Sequence, residues 1–248
     1  MDAEKTDAIV IRLADFSNTS RVVTFFTRDF GKVSAIAKGG KRLKGPFDTG
    51  LDLLSESRIV FLRKSSAALD ILTEASLTLR FRPNSANVGC FYAGCYVADL
   101  LTCLTEENDP HPHLFETAQW ALRQCMLQSD YRLIVLRFEL VLLREIGHLP
   151  TLDHCMECGE STESHTHYSY AVSHGGLICP ACQSQEYTQQ SIQAGSVALM
   201  KHLAIDSNTH AEHVSASPKQ VQEVRHTVTS SISAILGYRP KTLRFLQF

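Results

Sequence analysis

Two closely spaced cysteine pairs restrict how this 248-residue chain can fold more than any other feature of its sequence. The pairs are Cys155-x-x-Cys158 and, after 20 intervening residues, Cys179-x-x-Cys182. Each pair can place two thiolates on one turn, and Zn²⁺ takes four such ligands in tetrahedral geometry. Four cysteines leave no position open for water, so the pattern predicts a structural zinc site and not a catalytic one.

Other interpretations of these pairs stay open at this point. They could be redox dithiols, they could hold an iron–sulfur cluster, or they could carry no metal. Thioredoxin-type dithiols lie at the start of a helix in a β-α-β pattern, which does not match this segment. Five nearby histidines are further candidate ligands, which we expect to face solvent: His148, His154, His165, His167 and His174. We expect the remaining cysteines to be small core residues: Cys90, Cys95, Cys103 and Cys125.

The first 80 residues have the pattern of short β-strands separated by turns. We expect strands at 8–13, 20–26, 32–38, 57–62 and 69–73. Glycine-rich turns separate several of them, as Gly39-Gly40 does. Five short strands of this kind suit a small β-barrel, for which an OB-fold and an SH3-like barrel are the two options.

From Pro83 onwards, apolar residues recur with helical spacing. We expect helices over 85–104, 114–125, 130–146, about 188–203 and 217–237, the last beginning with the capping sequence Ser217-Pro218-Lys219-Gln220. A non-periodic segment at about 151–186 holds the cysteines and interrupts the helices. The sequence therefore predicts an α+β protein with a barrel domain at 1–82 and a helical, zinc-binding domain at 83–248.

The charge distribution singles out the barrel as the half that meets a polyanion. Net charge is −2, but residues 1–82 carry 14 basic and 10 acidic residues (+4), which leaves 10 and 16 (−6) for residues 83–248. The barrel contains a basic loop, Lys38-Gly39-Gly40-Lys41-Arg42-Leu43-Lys44, with four cations and no acid. Lys and Arg neutralise phosphates, and glycines allow close approach to a nucleic-acid backbone.

Two alternatives to DNA binding remain for this half. A short run of charges is commonly a solvated loop, and the barrel could also bind protein as an adaptor. Phe25, Phe26 and Phe30 are candidates for stacking on bases, although barrel core is the ordinary role for such residues. Steep weakening of DNA binding by salt would separate the DNA-binding role from the adaptor role.

Motifs typical of common enzymes are absent from the sequence. It has no phosphate-binding loop, no G-x-G-x-x-G after a strand and no G-x-S-x-G elbow, and no nucleophile–base arrangement stands out, so we expect a non-enzymatic protein. No run approaches the roughly 20 apolar residues of a membrane span, and the N-terminus is polar and acidic. We therefore expect a cytoplasmic protein with no membrane partner.

The order of these parts resembles the bacterial recombination protein O (RecO) family. Five segments carry the resemblance across nearly the whole chain, in the family's order: 8–12 with 20–27, 31–42, 136–150, 175–179 and 236–242. The third is Leu136-Arg137-Phe138-Glu139-Leu140 running to Gly147-His148-Leu149-Pro150, and the last is Leu236-Gly237-Tyr238-Arg239-Pro240-Lys241-Thr242.

The resemblance implies a fold, a function and a set of partners. It implies an N-terminal OB-fold followed by an α-helical domain with a zinc module, in a nucleoid-associated DNA repair protein. It implies binding and annealing of single- and double-stranded DNA, and loading of RecA onto DNA coated with single-strand-binding protein, through RecR, the tail of that coating protein and, in some bacteria, RecF. The residues carried over as metal ligands are Cys155, Cys158, Cys179 and Cys182. Those carried over as DNA-binding residues are Arg21, Lys32, Lys38, Lys41, Arg42 and Lys44.

Overall fold

A computed structural model describes residues 3–42, 47, 51–64, 69–84, 87–128, 130–183, 189–205 and 214–248 of the chain. The chain divides into two compact units, Met1–Tyr131 and Arg132–Phe248. The predicted mixture of an N-terminal β-structure and later helices is confirmed.

Five strands close into a barrel in the first unit. They are β1 (Ala3–Asp15), β2 (Arg21–Thr27), β3 (Gly31–Ala37), β4 (Glu56–Leu62) and β5 (Asp70–Leu79). The order around the barrel is β1-β2-β3-β5-β4, with β3 and β5 parallel and the other neighbours antiparallel. All five predicted strands are present, and their order, with β3 parallel to β5, confirms the OB-fold over the SH3-like option.

Alternation of side chains along the strands fills the barrel. In β3, Val33, Ala35 and Ala37 are buried while the residues between them are partly exposed. Phe25 of β2 belongs to the same core, and its neighbour Phe26 is equally buried on the opposite face of the strand. Both β2 phenylalanines are therefore structural, which is the ordinary role expected for them, and their burial excludes the alternative role of stacking on bases.

Two helices complete the first unit. They are α1 (Val88–Leu104), which is capped by the Asn87 side chain, and α2 (Pro112–Leu127), which has proline in its first turn. The predicted helices at 85–104 and 114–125 are confirmed, while residues 85 and 86 lie outside the described residues. Both helices fall in the same compact unit as the barrel, and the predicted domain boundary after residue 82 stays a prediction.

The helices of the second unit are α3 (Arg132–Glu145), α4 (Ala194–Leu203) and α5 (Pro218–Leu236). The capping box predicted at Ser217 is present, and Gly237 ends α5 with a φ of 74°. Glu139 on α3 and Arg225 on α5 form a bidentate ion pair at 2.6 and 2.7 Å, with the Glu139 side chain fully buried.

A small sheet, which the sequence pattern does not predict, lies in the cysteine segment. Its strands are β6 (Thr151–Cys155), β7 (His167–Ala171), β8 (Gly176–Ile178) and β9 (Gln189–Gln193), in the order β6-β8-β7-β9. The helix expected from about Thr188 is therefore wrong at its start, because Gln189–Gln193 pair with β7 and helix α4 begins at Ala194. Thr188 itself lies outside the described residues.

Among the described residues, no helix combines the length and the apolar character that crossing a lipid bilayer requires.

Removing the α5 partner of the buried ion pair should strongly destabilise the protein. Arg225→Met takes the bidentate guanidinium partner away from the buried Glu139 carboxylate, and we expect the free energy of unfolding to fall by about 3–5 kcal/mol. Urea denaturation followed by circular dichroism measures it. Lys219→Met on the same helix is the control, because Lys219 is 64% exposed and 4.0 Å from Glu223, so its loss should cost less than about 1 kcal/mol. Equal losses in the two variants would contradict the role given to the buried pair.

Candidate metal centre and basic barrel rim

The four clustered cysteines are brought together by two parallel strands. Cys155 is the last residue of β6, and Cys179 directly follows β8. Because β6 and β8 pair in parallel, the turns after them leave the sheet at the same edge. The turn after β6 supplies Cys158, and the short 3₁₀ turn Pro180–Cys182 supplies the fourth cysteine.

The sulfur atoms have the spacing that one tetrahedral ion requires. All four Sγ atoms lie within 4.8 Å of one another, and those of Cys158 and Cys179 are 3.8 Å apart. Four ligands at about 2.3 Å from a tetrahedral Zn²⁺ would be separated by about 3.8 Å. The arrangement could therefore hold one metal ion with a complete set of protein ligands.

Backbone amides support negative charge on the sulfur atom of Cys155. Burial acts to raise the pKa of Cys155, but hydrogen bonds from the amides of Cys158, Cys179 and Glu157 outweigh it and lower the pKa to about 7. The amide of Cys179 is 3.3 Å from the Cys155 sulfur. Gly159, with a φ of 75°, continues the first turn in a conformation that favours glycine. A thiolate is the form that binds metal, so this environment suits ligation.

A second group of possible ligands lies beside the cysteines. Glu160 and His165 are 3.2 Å apart, and their ligand atoms lie within 4.8 Å of the Cys179 sulfur. The backbone of His165 is held by the Tyr168 hydroxyl. Of the other candidate histidines, three are exposed and His174 is paired with Glu157 at 3.6 Å. His165 therefore stands out among the histidines by its proximity to the four-cysteine group.

Four predicted DNA-binding residues gather at one rim of the barrel, which we call the basic rim: Arg21, Lys38, Lys41 and Arg42. Strand pairing sets this location, because Arg21 at the start of β2 lies opposite Ala37 at the end of β3. The amide of Lys41 donates to the Thr19 carbonyl at 3.1 Å, which ties the basic loop to the β1–β2 turn. Lys44 lies outside the described residues.

An acidic residue, Asp15, sits within the basic rim. Its carboxylate is 2.9 Å from the Lys41 ammonium and 4.0 Å from the Arg21 guanidinium. The hydrogen bond from Lys41 lowers the pKa of Asp15. Lys38 and Arg42 are exposed, and neither forms an ion pair with any other residue in the described ranges. The rim thus holds two cations shared with an acid and two that face solvent.

Lys32, the remaining predicted DNA-binding residue, is engaged in the fold. It lies near the start of β3, at the opposite end of that strand from the basic rim. Its ammonium donates to the carbonyls of Thr102, at 2.7 Å, and Thr105. Both carbonyls lie at the end of α1, where the helix itself supplies no donor for the last carbonyls. The Asn108 amide also donates to the Lys32 carbonyl. The contact of Lys32 with DNA stays a prediction. In the structure, its side chain caps the end of α1.

An exposed aromatic residue, Phe16, lies in the turn next to the basic rim, and the sequence pattern did not single it out. Phe30 packs against the barrel core, with the Arg63 guanidinium 5.1 Å from the centre of its ring. In contrast, Phe16 in the β1–β2 turn is 61% exposed, directly after Asp15. A hydrophobicity pattern could not have found it, because one apolar residue in a polar turn has no periodicity.

Two family models match the chain. One, described as Recombination protein O N terminal, covers residues 1–81, and the other, described as Recombination protein O C terminal, covers residues 90–244. Full-length relatives have the same family name. A DNA repair protein RecO from Rhodopirellula baltica is 31% identical, over 96% of this chain and 97% of the relative. DNA repair proteins RecO from Listeria monocytogenes serotype 4b and Bacillus pumilus are 25% and 27% identical over 98% of this chain and 94% and 93% of the relatives.

The capping role of Lys32 predicts that its replacement lowers the stability of the protein. Lys32→Met removes the donor from two helix-terminal carbonyls, and we expect the free energy of unfolding to fall by about 1–3 kcal/mol. Lys38→Met, an exposed residue on the same loop-and-strand segment, should change it by less than about 0.5 kcal/mol. Thermal and urea denaturation of both variants measure the difference. An unchanged stability of Lys32→Met would show that the capping contact contributes nothing.

Proposed function

The chain belongs to the recombination protein O family of DNA repair proteins, and from that premise we propose that it binds single- and double-stranded DNA and anneals complementary strands. We include in this proposal the partners that the family resemblance implies. The protein would act with RecR and the tail of single-strand-binding protein, and in some bacteria with RecF, to load RecA onto coated DNA. No step of this work requires a catalytic group from the chain.

The basic rim is the observation that carries the proposal. It groups Arg21, Lys38, Lys41 and Arg42 at one end of an OB-fold barrel, and two of these cations face solvent. Neutralising phosphates releases condensed counterions, which supplies sequence-independent affinity for nucleic acid. Placed on two strands, the same neutralisation would lower their mutual repulsion and let complementary bases pair without ATP. An adaptor that binds only protein would have no need for cations gathered in this way.

We also propose that the four clustered cysteines hold a structural Zn²⁺. The short sulfur–sulfur spacing, the amides directed at Cys155 and the complete set of four ligands support one tetrahedral ion. The redox alternative has less support, because none of the four begins an α-helix in the described chain. A bound ion would join the turns after β6 and β8, so its binding free energy would become folding free energy of the second unit.

DNA binding should depend on the exposed cations of the rim. We expect Lys38→Ala/Lys41→Ala/Arg42→Ala to weaken binding to single- and double-stranded DNA at least tenfold at low salt. Its slope of log affinity against log salt should become less steep by about 2–3, since each phosphate contact contributes about 0.7–0.9. Fluorescence anisotropy of labelled oligonucleotides, titrated across salt, measures both quantities.

Two further variants control this experiment. Lys219→Ala/Arg239→Ala/Lys241→Ala removes three exposed cations from the second unit, so it makes the same change in net charge and should leave affinity nearly unchanged. Asp15→Asn frees Lys41 and Arg21 from their acid and should tighten binding severalfold. If the rim triple variant bound DNA as tightly as the parent, the basic rim would not be the DNA-binding site. The same would follow if the control triple variant weakened binding equally.

Metal content tests the zinc proposal independently of DNA. We expect elemental analysis to find one equivalent of zinc per chain. Cys179→Ser should lose this zinc and have a lower melting temperature. Cys103→Ser is the matched control and should retain the metal, because Cys103 lies on α1 and is exposed, so the expectation that it is a core residue is wrong. Iron with visible absorbance would indicate a cluster instead, and a metal-free, stable protein would rule out a structural ion.

A further inference from the structure

We propose that Phe16 stacks on an unpaired base while the neighbouring cations of the basic rim bind the phosphates of the same strand, which gives the rim a preference for single-stranded DNA. This inference rests on the proposed DNA-binding function and adds to it a base-contacting residue and a strand preference. The observation behind it is that one exposed aromatic residue directly follows Asp15, whose carboxylate contacts the cations Arg21 and Lys41.

The exposure of Phe16 is unusual within its own barrel. Phe25 and Phe61 are fully buried in the barrel core, whereas 61% of Phe16 is open to solvent. The residues that follow it in the turn, Ser17, Asn18 and Thr19, are polar and exposed. A single ring among polar groups is not the continuous apolar patch that protein docking surfaces present.

The turn that carries Phe16 is closed by its own hydrogen bonds. The amides of Phe16 and Ser17 both donate to the Ser20 carbonyl at 3.1 Å, and the Ser20 amide donates to the Ser17 hydroxyl at 3.1 Å. The backbone of Phe16 is therefore fixed at the point where β1 ends. A residue whose backbone is already held loses less conformational freedom when a base stacks on its ring.

The cations of the rim are connected to the same turn. Asp15, which precedes Phe16, contacts both Lys41 and Arg21, and the Lys41 amide bonds to the Thr19 carbonyl. A strand whose phosphates met these cations would lie beside the turn that carries Phe16. Sites for single-stranded nucleic acid combine the same two components, a cationic track and aromatic rings on which bases stack regardless of sequence.

Stacking on Phe16 discriminates between strand types for a geometric reason. Every base has a π-face, but in a duplex both faces of an internal base are covered by its neighbours. The ring could reach such a base only after unstacking and unpairing it, which is costly. Phosphates, in contrast, are accessible in both forms. The rim cations should therefore serve both forms of DNA, and Phe16 only the single strand.

The test compares Phe16→Ala with the parent on a single-stranded oligonucleotide and on a blunt duplex of equal length, by anisotropy at one salt concentration. We expect the single-strand affinity to fall roughly 5- to 100-fold and the duplex affinity to change less than twofold. The salt slope should be unchanged, because no phosphate contact is lost. Phe16→Trp should retain single-strand binding, and Phe16→Leu, which is apolar but not aromatic, should resemble Phe16→Ala.

A spectroscopic measurement and a control accompany these affinities. An oligonucleotide containing 2-aminopurine should lose fluorescence when it binds the parent, because stacking quenches the base, and should lose less with Phe16→Ala. Leu127→Ala removes a side chain that is 79% exposed in the same unit and should affect neither DNA form. Melting temperatures of all variants verify that the fold is intact.

The outcomes separate this inference from the function on which it rests. Unchanged single-strand binding in Phe16→Ala, while the rim triple variant loses binding, would overturn stacking and leave DNA binding in place. Equal losses of affinity for both DNA forms would also overturn it, because they would show that Phe16 maintains the conformation of the turn and does not contact a base. A parent protein that binds neither form at low salt would overturn the stacking inference and the proposed function together.

Discussion

Closure of the barrel through β1 is the constraint on which the first unit depends. This 13-residue strand pairs with β4 along Ala3–Ile9 and with β2 along Ala8–Asp15, and the register shifts between Val10 and Arg12. The shift lies between the part of β1 that pairs mainly with β4 and the part that pairs with β2, and such an irregularity bends a strand and increases its twist. The pairing of β1 with β2 ends at Asp15, opposite Arg21, so it brings Asp15 to the basic rim.

The same closure explains why the two ends of β3 have different roles. Lys32 pairs with Phe26 near one end of the β2–β3 ladder, and there the outer face is covered by helices of the same unit: Phe26 is 6.3 Å from the ring of Phe115, and Lys32 caps α1. At the other end, the cations of the rim meet solvent. A lysine is thus a structural donor or an available cation according to its position along one strand, although the sequence presents both as equivalent basic residues.

Sequence patterns predicted the features that repeat or that carry distinctive chemistry. The alternation of β3, the capping box of α5 and the spacing of the four cysteines all belong to this class, and the structure contains each of them. Strand β8 of the small sheet escaped prediction because it has only three residues, too few for an alternating pattern. The engagement of Lys32 and the exposure of Phe16 depend on which residues the fold brings near them, and local sequence carries no such information.

The protein's net charge of −2 is compatible with a DNA-binding rim because exposed charges are screened over about 8–10 Å in physiological salt. A phosphate at the rim therefore interacts with the four local cations and with Asp15, while the acidic residues elsewhere contribute little. Asp15 is largely exposed, and ion pairs with exposed groups contribute little to stability, so a phosphate could displace the carboxylate at small cost. If the rim binds DNA as proposed, the acid would keep Lys41 and Arg21 near the rim before DNA arrives and compete for them afterwards. A protein that anneals strands must also release the duplex it has formed, and a rim whose cations have an alternative partner suits that requirement better than one saturated with positive charge.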